Sequence, residues 1–308
     1  MAITTFQAGA FVTALGIGFA DKIRAFPKAA QRRAVRDHGD LDPVLGRIGS
    51  LEVRLATTKK DIRRAQKLRY RVFFEEGGAI PDARSALARR DICPFDRICD
   101  HMLVIDHAAK NRFGRQKPKV VGAYRLLRQS IADQHGGFYS AQEFDIAPLL
   151  ATHRDANFLE LGRSCVLAEY RSKRTIELLW RGIAAYIQHY KIDAMIGCAS
   201  FEGSNPLKHA LALSFLHHHA MAEGEWSARA LPERYVAMDM IAADKIDLRR
   251  ALDALPTLVR GYLRVGAKFG AGAVVDRQFG TVDVLVIMPV AQIDAKYLEH
   301  FSPASRAA

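Results

Sequence analysis

One stretch of the sequence, residues 159–187, places an apolar strand, a basic turn and an amphipathic helix in immediate succession. The strand ends at Val166, the turn reads EYRSKR over residues 169–174, and the helix starts near Thr175. The first amides of a helix lack hydrogen-bond partners and the helix dipole is positive there, so such a turn can bind a phosphate group. Three basic side chains, Arg171, Lys173 and Arg174, add charge at the same point. The spacing alone is equally compatible with an ordinary basic loop.

Other segments carry the hydrophobic periodicities of strands and helices. Apolar runs predict strands at residues 51–56, 102–106, 120–127, 157–168, 192–199 and 282–290. Apolar residues at helical spacing predict helices at residues 60–76, 175–187, 206–219 and 256–268. Thr58 and Asp61 have the spacing of a capping box before the first helix. Because strands and helices alternate through the middle of the chain, we expect an α/β (mixed α+β) class.

The composition excludes several classes of protein. Of the 308 residues 49% are hydrophobic, enough for a sizeable core, yet no run approaches the roughly 20 apolar residues of a membrane-spanning helix. The four cysteines are too few and too scattered for a disulfide framework, which predicts a reduced, cytoplasmic protein. Cys93 and Cys99 lack zinc-ligand spacing, and the consecutive histidines at 217–219 should project in different directions from a helix. No metal is implied.

The formal net charge of +12 points to an anionic partner. Two segments concentrate the positive charge: residues 21–36, with a single acid, and residues 107–132, with none. Nucleic acid, anionic lipid and an acidic carrier protein all fit this charge, and a solvated basic face is the alternative. A nucleic-acid binder should interleave aromatic residues with its basic clusters, and these clusters contain few. We therefore expect no nucleic-acid partner.

The first fifty residues lack a sustained hydrophobic period. We interpret residues 1–50 as an extension outside the core, either a basic amphipathic segment lying on a membrane or a poorly ordered tail. Residues 51–301 then form one domain, and residues 302–308 are a short tail.

The run from Val166 to Trp180 resembles the acyl-donor motif of the GNAT acyltransferases, a strand, Val-x-x-x-Tyr-Arg-x-x and a helix. In most of that superfamily the turn has glycine at two positions, so that backbone amides can wrap the pyrophosphate of coenzyme A. Those positions here are Arg174 and Ile176. The departure favours acyl carrier protein as donor, because its phosphopantetheine arm has one phosphate and its body is acidic. The resemblance implies a central mixed sheet flanked by helices, with one splayed pair of strands.

A second set of motifs resembles the acyl-homoserine lactone synthases, which are GNAT-like, and more closely the ornithine–acyl carrier protein N-acyltransferases. The motifs are Arg69-x-x-Val72-Phe73, the acidic segment 91–101, Gly122-x-x-Arg125, Glu160-x-x-Arg163, the segment 197–200 and Asp276-x-x-Phe279-Gly280-Thr281-x-Asp283. The tryptophan that the synthases carry shortly after the Val-Phe pair is absent. This similarity runs from about residue 51 to residue 301.

The resemblance implies transfer of a fatty acyl group, 3-hydroxylated in this family, from acyl carrier protein to the α-amine of L-ornithine. The product would be lyso-ornithine lipid, made by a cytoplasmic protein held peripherally at the inner, anionic face of the membrane. Acyl-phosphopantetheine would be the donor, with no permanently bound cofactor. The alternatives are a GNAT-type enzyme with a different acceptor amine, such as another amino acid or a homoserine-lactone precursor, and a non-enzymatic basic protein that binds membrane or nucleic acid.

The same resemblance assigns candidate site residues. Glu160 and Arg163 are the catalytic candidates. The candidates for substrate binding are Arg69, Phe73, Asp91, Asp96, Asp100 and Arg125. The candidates for binding the phosphopantetheine arm are Val166, Arg171, Lys173, Arg174 and Thr175.

Glu160 is a candidate base because amide formation from a thioester needs a neutral amine. An α-amine has a pKa of about 8 and a lysine-like amine one of about 10.4, so the α-amine is the easier nucleophile. The alternative is that Glu160 pairs with Arg163 or Arg125 for structure alone. Residues three apart in a regular strand point to opposite faces, so Glu160 and Arg163 can share a site only if a bulge intervenes, for which Gly162 is a plausible place.

Three aspartates of the acidic segment allow two interpretations. Asp91, Asp96 and Asp100 either hold the distal ammonium group of ornithine or form ion pairs with arginines of the neighbouring motifs, Arg69, Arg71 and Arg125. The ion-pair interpretation is preferred, because the related synthases use such a network to build their cleft. Asp276 and Asp283 are secondary candidates for amine recognition.

Overall fold

The computed structural model describes residues 38–293 of the chain. The strands within this range are β1 (Val44–Ile48), β2 (Leu51–Leu55), β3 (Asp100–Asp106), β4 (Lys119–Arg128), β5 (Phe144–Asp145), β6 (Phe158–Val166), β7 (Ala194–Glu202), β8 (Arg229–Ala230), β9 (Lys268–Phe269), β10 (Val274–Asp276) and β11 (Thr281–Pro289). The α-helices are α1 (Lys59–Tyr70), α2 (Ala83–Ala88), α3 (Gln129–Ala132), α4 (Ala147–Thr152), α5 (Lys173–Tyr190), α6 (Ala210–Ala220), α7 (Leu248–Ala254) and α8 (Thr257–Arg264).

Nine of these strands form one mixed sheet. Their order is β1-β2-β3-β4-β6-β7-β11-β10, with β9 paired to β11, while β5 and β8 form a separate two-stranded ribbon. The β6–β7 pair is parallel, and the other pairs of the large sheet are antiparallel. A parallel pair inside an antiparallel sheet requires a crossover, which α5 supplies between β6 and β7.

Helix α5 covers one face of the first strands. Its apolar side, which includes Leu178, Ile183 and Tyr186, is buried against β1, β2 and β3. The helix approaches the sheet closely at Gly182, where an added Cβ would lie 2.5 Å from the sulfur of Met102. Glycine is therefore required at this contact. Apolar clusters fill both faces of the sheet, as a two-sided core demands.

The predicted elements are confirmed in kind and, for most, in position. Thr58 caps α1 by accepting a hydrogen bond from the Asp61 amide, and its hydroxyl donates to the Asp61 carboxylate. The predicted helix over 60–76 is α1 followed by a π-helical turn, Arg71–Glu76. The helix predicted over 256–268 is shorter, because α8 ends at Arg264 before Gly266 adopts a φ of 91°.

The predicted domain boundary at residue 50 is wrong. Val44–Ile48 is strand β1, which pairs with β2, so the boundary falls inside a hairpin. Gly46 and Gly49 obscure the strand pattern in the sequence. Residues 1–37, the end of the predicted domain and its tail lie outside the described residues. Over residues 38–293, none of the helices is long and apolar enough to cross a membrane.

Candidate active site

A cleft opens in the middle of the sheet because β6 and β7 separate. Their parallel pairing consists of Phe158 with Ala194, Leu159 with Met195 and Glu160 with Ile196, although both strands continue beyond the last pair. From that point the two strands diverge, and the predicted splayed pair is confirmed. The cleft begins beside Glu160.

Strand β6 carries a bulge just after the last paired residues. Ala123 of β4 pairs with Cys165 and Arg125 pairs with Gly162, so two residues of β6, Arg163 and Ser164, oppose one residue of β4. Arg163 takes the left-handed conformation with a φ of 53°, which is strained for a non-glycine residue. The predicted bulge is therefore confirmed, one residue after Gly162. Because of it, Glu160 and Arg163 line the same cavity.

The cavity has a volume of about 450 Å³. It is lined by the bulged segment of β6 with Tyr139 and Ser140, and by residues 198–200 of β7 with Asp276 and Asp283. The π-helical turn adds Val72 and Phe73 to the lining. A π-helical turn often marks a functional site, because it redirects side chains that a regular helix would align with the preceding turn.

The Glu160 carboxylate is buried and oriented by three donors. The Tyr139 amide donates to one oxygen at 3.0 Å, and the Ser140 amide and hydroxyl each donate to the other at 2.6 Å. In the part of the chain described, Glu160 forms no ion pair with either arginine that the structural alternative required. The carboxylate lies at the cavity wall in one fixed orientation.

Arg163 is the cationic side chain at the bulge. Its guanidinium lies 4.3 Å from the ring centre of Phe279 and 4.9 Å from that of Tyr139, so the two rings hold it over the cavity. Its Nε is 3.5 Å from a carboxylate oxygen of Asp91 and has no hydrogen-bond partner. This guanidinium is able to bind an anionic group in the cavity.

The three aspartates of residues 91–101 lie behind the cavity wall and do not line it. Nε of Arg69 lies 2.7 Å from Asp91, and Nη2 lies 2.7 Å from Asp96. Asp100 accepts a hydrogen bond of 2.6 Å from Tyr186. The structure thus contains the ion pairs that the sequence allowed for Arg69, and it does not bring these aspartates to an acceptor.

Two other predicted partners are placed differently. Arg125 joins this network, with Nη1 3.5 Å from Asp96, and it also lines the cavity. Arg71 takes no part, because it pairs with Glu76 and with Glu169 of the basic turn at residues 169–174. Of the predicted substrate-binding residues, Phe73 and Arg125 line the cavity, whereas the buried Arg69 does not.

Two carboxylates of the cavity lining, those of Asp276 and Asp283, belong to an acidic cluster that Glu143 completes. Carboxylate oxygens of Glu143, Asp276 and Asp283 are within 4.8 Å of one another, and all three side chains are buried. Burial, with repulsion from Asp283, raises the pKa of Glu143 to about 7, although Arg234 opposes the shift. Burial also raises the pKa of Asp283 to about 6. Glu143 was not predicted, since no local motif marks it and the fold alone brings it to the two aspartates.

Relatives with curated names resemble most of this chain. The L-ornithine N(alpha)-acyltransferase of Agrobacterium fabrum (strain C58 / ATCC 33970) is 52% identical over 262 residues, 85% of this chain and 88% of the relative. The L-ornithine N(alpha)-acyltransferase of Brucella abortus (strain 2308) is 50% identical over 272 residues, which are 88% of this chain and 95% of the relative.

The chain belongs to the L-ornithine N(alpha)-acyltransferase family.

The Acetyltransferase (GNAT) domain model matches residues 68–181 of this acyltransferase, which confirms the predicted GNAT-type fold. Among solved structures, FeeM, an N-acyl amino acid synthase from uncultured soil microbes, is 10% identical with a TM-score of 0.45, over 78% of this chain and 92% of that one. The acyl-homoserine lactone synthase LasI is 14% identical with a TM-score of 0.39, and the match covers 78% of this chain and 91% of LasI.

In this L-ornithine N(alpha)-acyltransferase family member, the basic turn at residues 169–174 precedes α5 as predicted. Ser172 caps the helix by accepting a hydrogen bond from the Thr175 amide, and Nε of Arg171 donates to the Val166 carbonyl. Lys173 and Arg174 are exposed. Thr175 is fully buried and its hydroxyl contacts that of Ser172, so its side chain does not reach a donor.

The expectation that residues 217–219 point apart is wrong in one respect. His217, His218 and Asp239 bring possible ligand atoms within 4.8 Å of one another at the end of α6. Nε2 of His218 already lies 2.9 Å from Asp239, so these side chains form a surface ion pair when the histidine is protonated. This group lies apart from the cavity residues of the acyltransferase.

Proposed function

We propose that this acyltransferase moves a fatty acyl group from acyl carrier protein to the α-amine of L-ornithine and so makes lyso-ornithine lipid. The names of the relatives support ornithine as the acceptor. The observation that carries the proposal is the cavity itself, which lies beside the splayed strands and is lined by the Arg163 guanidinium and by the carboxylates of Asp276 and Asp283. Such a cavity suits a small zwitterion with a second amine.

The bulge supplies the means to bind the acceptor and the thioester. The Arg163 guanidinium would pair with the ornithine carboxylate, because it is the cation that the two aromatic rings hold at the cavity. The thioester carbonyl would lie along β6, where the bulge withdraws backbone amides from the β-ladder. Those amides would stabilise the oxyanion of the tetrahedral intermediate.

Glu160 is the proposed general base. The α-amine nitrogen attacks the thioester carbon, the C–N bond forms, the C–S bond breaks, and the phosphopantetheine thiolate leaves. Glu160 takes the proton that the amine loses, directly or through one water. Its carboxylate is fixed by Tyr139 and Ser140, so the base is oriented before the substrate binds.

The proposed docking surface for acyl carrier protein is basic. Exposed Lys173 and Arg174 lie at the start of α5, next to Arg171. A groove of about 350 Å³ between α1 and the β3–β4 connection continues this charge, with Arg64, Lys67, Arg71, Lys110, Lys117 and Lys119 along it. A carrier with an acidic body would be attracted over the whole surface.

The π-helical turn links the proposed donor and acceptor sites. Val72 and Phe73 line the cavity. On the opposite side, Glu76 pairs with Arg71 at 2.9 Å and with Arg171 at 3.7 Å. A carrier protein docked at Arg171 would therefore contact the π-helical turn, which also lines the acceptor cavity.

Membrane association belongs to the proposal because the product is a lipid. The basic segment 21–36 would bring the enzyme to an anionic membrane surface. Deletion of residues 1–37 should reduce binding to anionic vesicles and spare turnover of soluble substrates. Unchanged vesicle binding by the deletion variant would contradict this part of the proposal.

The reaction is tested by combining the purified protein with two donors and a panel of amino acids. The donors are long-chain 3-hydroxyacyl carrier protein and the matching acyl-coenzyme A, and the products are detected by mass. We expect an ornithine-dependent N-acyl product with acyl carrier protein as the better donor. Equal rates with both donors would contradict the donor assignment, and a product with a different amine alone would contradict the acceptor assignment.

A further inference from the structure

The acidic cluster carries more negative charge than its neighbours balance. Within residues 38–293, the ion pair that reaches it joins Arg234 to Glu143 at 3.3 Å. Oδ1 of Asp276 accepts hydrogen bonds from the Gln278 and Phe279 amides, which orient it. Arg234 thus pairs directly with the cluster, and the Arg163 guanidinium acts on Asp283 from beyond ion-pairing distance. Buried carboxylates in excess of their counter-charges are costly unless a cation joins them.

Asp283 is the member of the cluster that points to a ligand. Its side chain is 6% exposed, it lines the cavity, and its Oδ1 has no hydrogen-bond partner. It lies on β11 opposite Ser200 of β7, the strand that forms one lip of the cleft. A buried acceptor that faces a cavity without a partner is a site for a donor supplied by the substrate.

The rest of the cavity decides the kind of cation. Arg163 and Arg125 line the same cavity as Asp276 and Asp283, and Nη1 of Arg125 also lacks a hydrogen-bond partner. A ligand that fills the cavity meets guanidinium groups and carboxylates together, so it must present both an anionic group and a hydrogen-bonding cation. A diamino monocarboxylic acid does both and leaves its α-amine next to its carboxylate, at the bulge.

We propose that Asp283, supported by Asp276 and Glu143, binds the distal ammonium group of the acceptor and so selects a basic amino acid over its neutral isostere. This inference rests on the proposed function. It assigns Asp283 as the specificity residue, with Asp276 and Glu143 supplying charge beside it. The reacting α-amine is assigned to the bulge of β6, beside Glu160 and next to the carboxylate that Arg163 would bind.

The test compares L-ornithine with L-norvaline, which has the same carbon chain without the distal amine. Values of kcat/KM are measured with acyl carrier protein as donor for the wild type and Asp283→Asn. We expect the wild type to prefer ornithine by about 100-fold or more. In Asp283→Asn that preference should collapse to below about 10-fold through a higher KM for ornithine, and circular dichroism of the variant checks that it is folded.

Calorimetric titration of the donor-free protein with ornithine gives a second measurement. The heat of binding seen with the wild type should be lost in Asp283→Asn. Retained binding and retained preference in this variant, or equal losses with both substrates, would overturn the assignment. If the wild type does not acylate ornithine, the proposed function falls and this inference with it. If the wild type acylates ornithine and Asp283→Asn keeps the preference, the inference alone falls.

A divalent metal ion is the competing occupant of three carboxylates. Enzyme dialysed against EDTA should keep its preference for ornithine, and added Mg²⁺ should not change it. Loss of the preference after EDTA, with recovery on adding Mg²⁺, would assign the cluster to a metal and overturn the inference.

Discussion

Gly197 of β7 approaches Leu161 of β6 so closely that an added Cβ would lie 2.2 Å from the Leu161 carbonyl oxygen. The contact falls one residue beyond the last β6–β7 pair, Glu160 with Ile196. The two strands therefore separate around a backbone contact that has no room for a side chain. This contact sets where the cleft begins.

Replacement of Gly197 by alanine should force β6 and β7 apart at the cleft. We expect a loss of about 1–3 kcal/mol in the free energy of unfolding, as for other overpacked sites, with at least a tenfold loss of kcat. Urea denaturation and steady-state kinetics measure both. Gly261→Ala in α8 is the control, since a Cβ there meets nothing within 4 Å and should not destabilise the fold. Equal stability of both variants would contradict the role of this contact.

Arg69 should be a stability residue. Arg69→Met leaves Asp91 and Asp96 buried without their closest cation, and should cost about 3–5 kcal/mol in the free energy of unfolding. Arg71→Met is the matched control, because that side chain is 45% exposed and its loss should cost less than about 1 kcal/mol. Similar denaturation midpoints for the two variants would be incompatible with the buried network.

Glu160→Gln tests the proposed base. The amide keeps the size of the side chain and one acceptor oxygen but cannot take a proton, so kcat should fall by about 100-fold or more with a smaller change in KM for ornithine. Ser140→Ala removes one hydrogen bond to the carboxylate without changing its charge, and its effect on kcat should be smaller. A Glu160→Gln enzyme with wild-type kcat would show that another group takes the proton.

The acidic cluster predicts that stability without ornithine declines as pH rises. The pKa of Asp283 is raised to about 6 and that of Glu143 to about 7, so the folded protein holds protons that the unfolded chain releases near pH 4. The stability that these two carboxyl groups contribute in their protonated form is complete below about pH 4, and it is lost as the pH rises through 6 and 7. Asp276, Arg234 and Arg163 face these groups.

Chemical denaturation at pH 5 and pH 8 measures this effect. Asp283→Asn removes one of the repelling charges, so the variant should lose less stability than the wild type as the pH rises. Its free energy of unfolding relative to that of the wild type should therefore increase by about 1–2 kcal/mol from pH 5 to pH 8. Saturating ornithine should reduce the difference, because the ammonium group compensates the charge in the wild type. A constant difference between wild type and variant across this range would contradict the shifted pKa values.

Charge reversal at the start of α5 tests the donor surface. Lys173→Glu with Arg174→Glu should raise KM for acyl carrier protein by about 10-fold and weaken its dependence on salt. Arg249→Glu, at an exposed position of α7, makes the same kind of change away from this surface and should have little effect. An equal change in KM from Arg249→Glu would mean that overall charge, and not this surface, attracts the carrier.

The sequence predicts the elements around the cleft because their signals are local. The apolar period of α5 and the Thr58 cap of α1 depend on residues within a few positions of one another. The presence of the bulge can be predicted, because Glu160 and Arg163 can share one site only if a bulge lies between them. Its position at Arg163 cannot, because there an arginine takes the left-handed backbone conformation that this residue type rarely adopts. The roles of Asp91 and Asp96 depend on which arginine the fold brings to them.

The cluster of Glu143, Asp276 and Asp283 is the part of the site that sequence alone did not reveal. Glu143 is more than 130 positions from the two aspartates along the chain. Strand pairing brings Asp276 and Asp283 together on β10 and β11, and the turn that orients Glu160 places Glu143 against them. The sequence marks Asp276 and Asp283 as secondary candidates, and the tertiary structure adds Glu143 to them as a buried cluster.

In the proposed reaction the α-amine of ornithine reacts while the acidic cluster holds the distal amine. The most direct test gives the enzyme acyl carrier protein as donor and ornithine labelled with ¹⁵N at the α position alone, and then locates the amide nitrogen in the product by NMR. We expect an amide carried entirely by the labelled nitrogen. An amide on the unlabelled distal nitrogen, or no N-acylornithine at all, would contradict it.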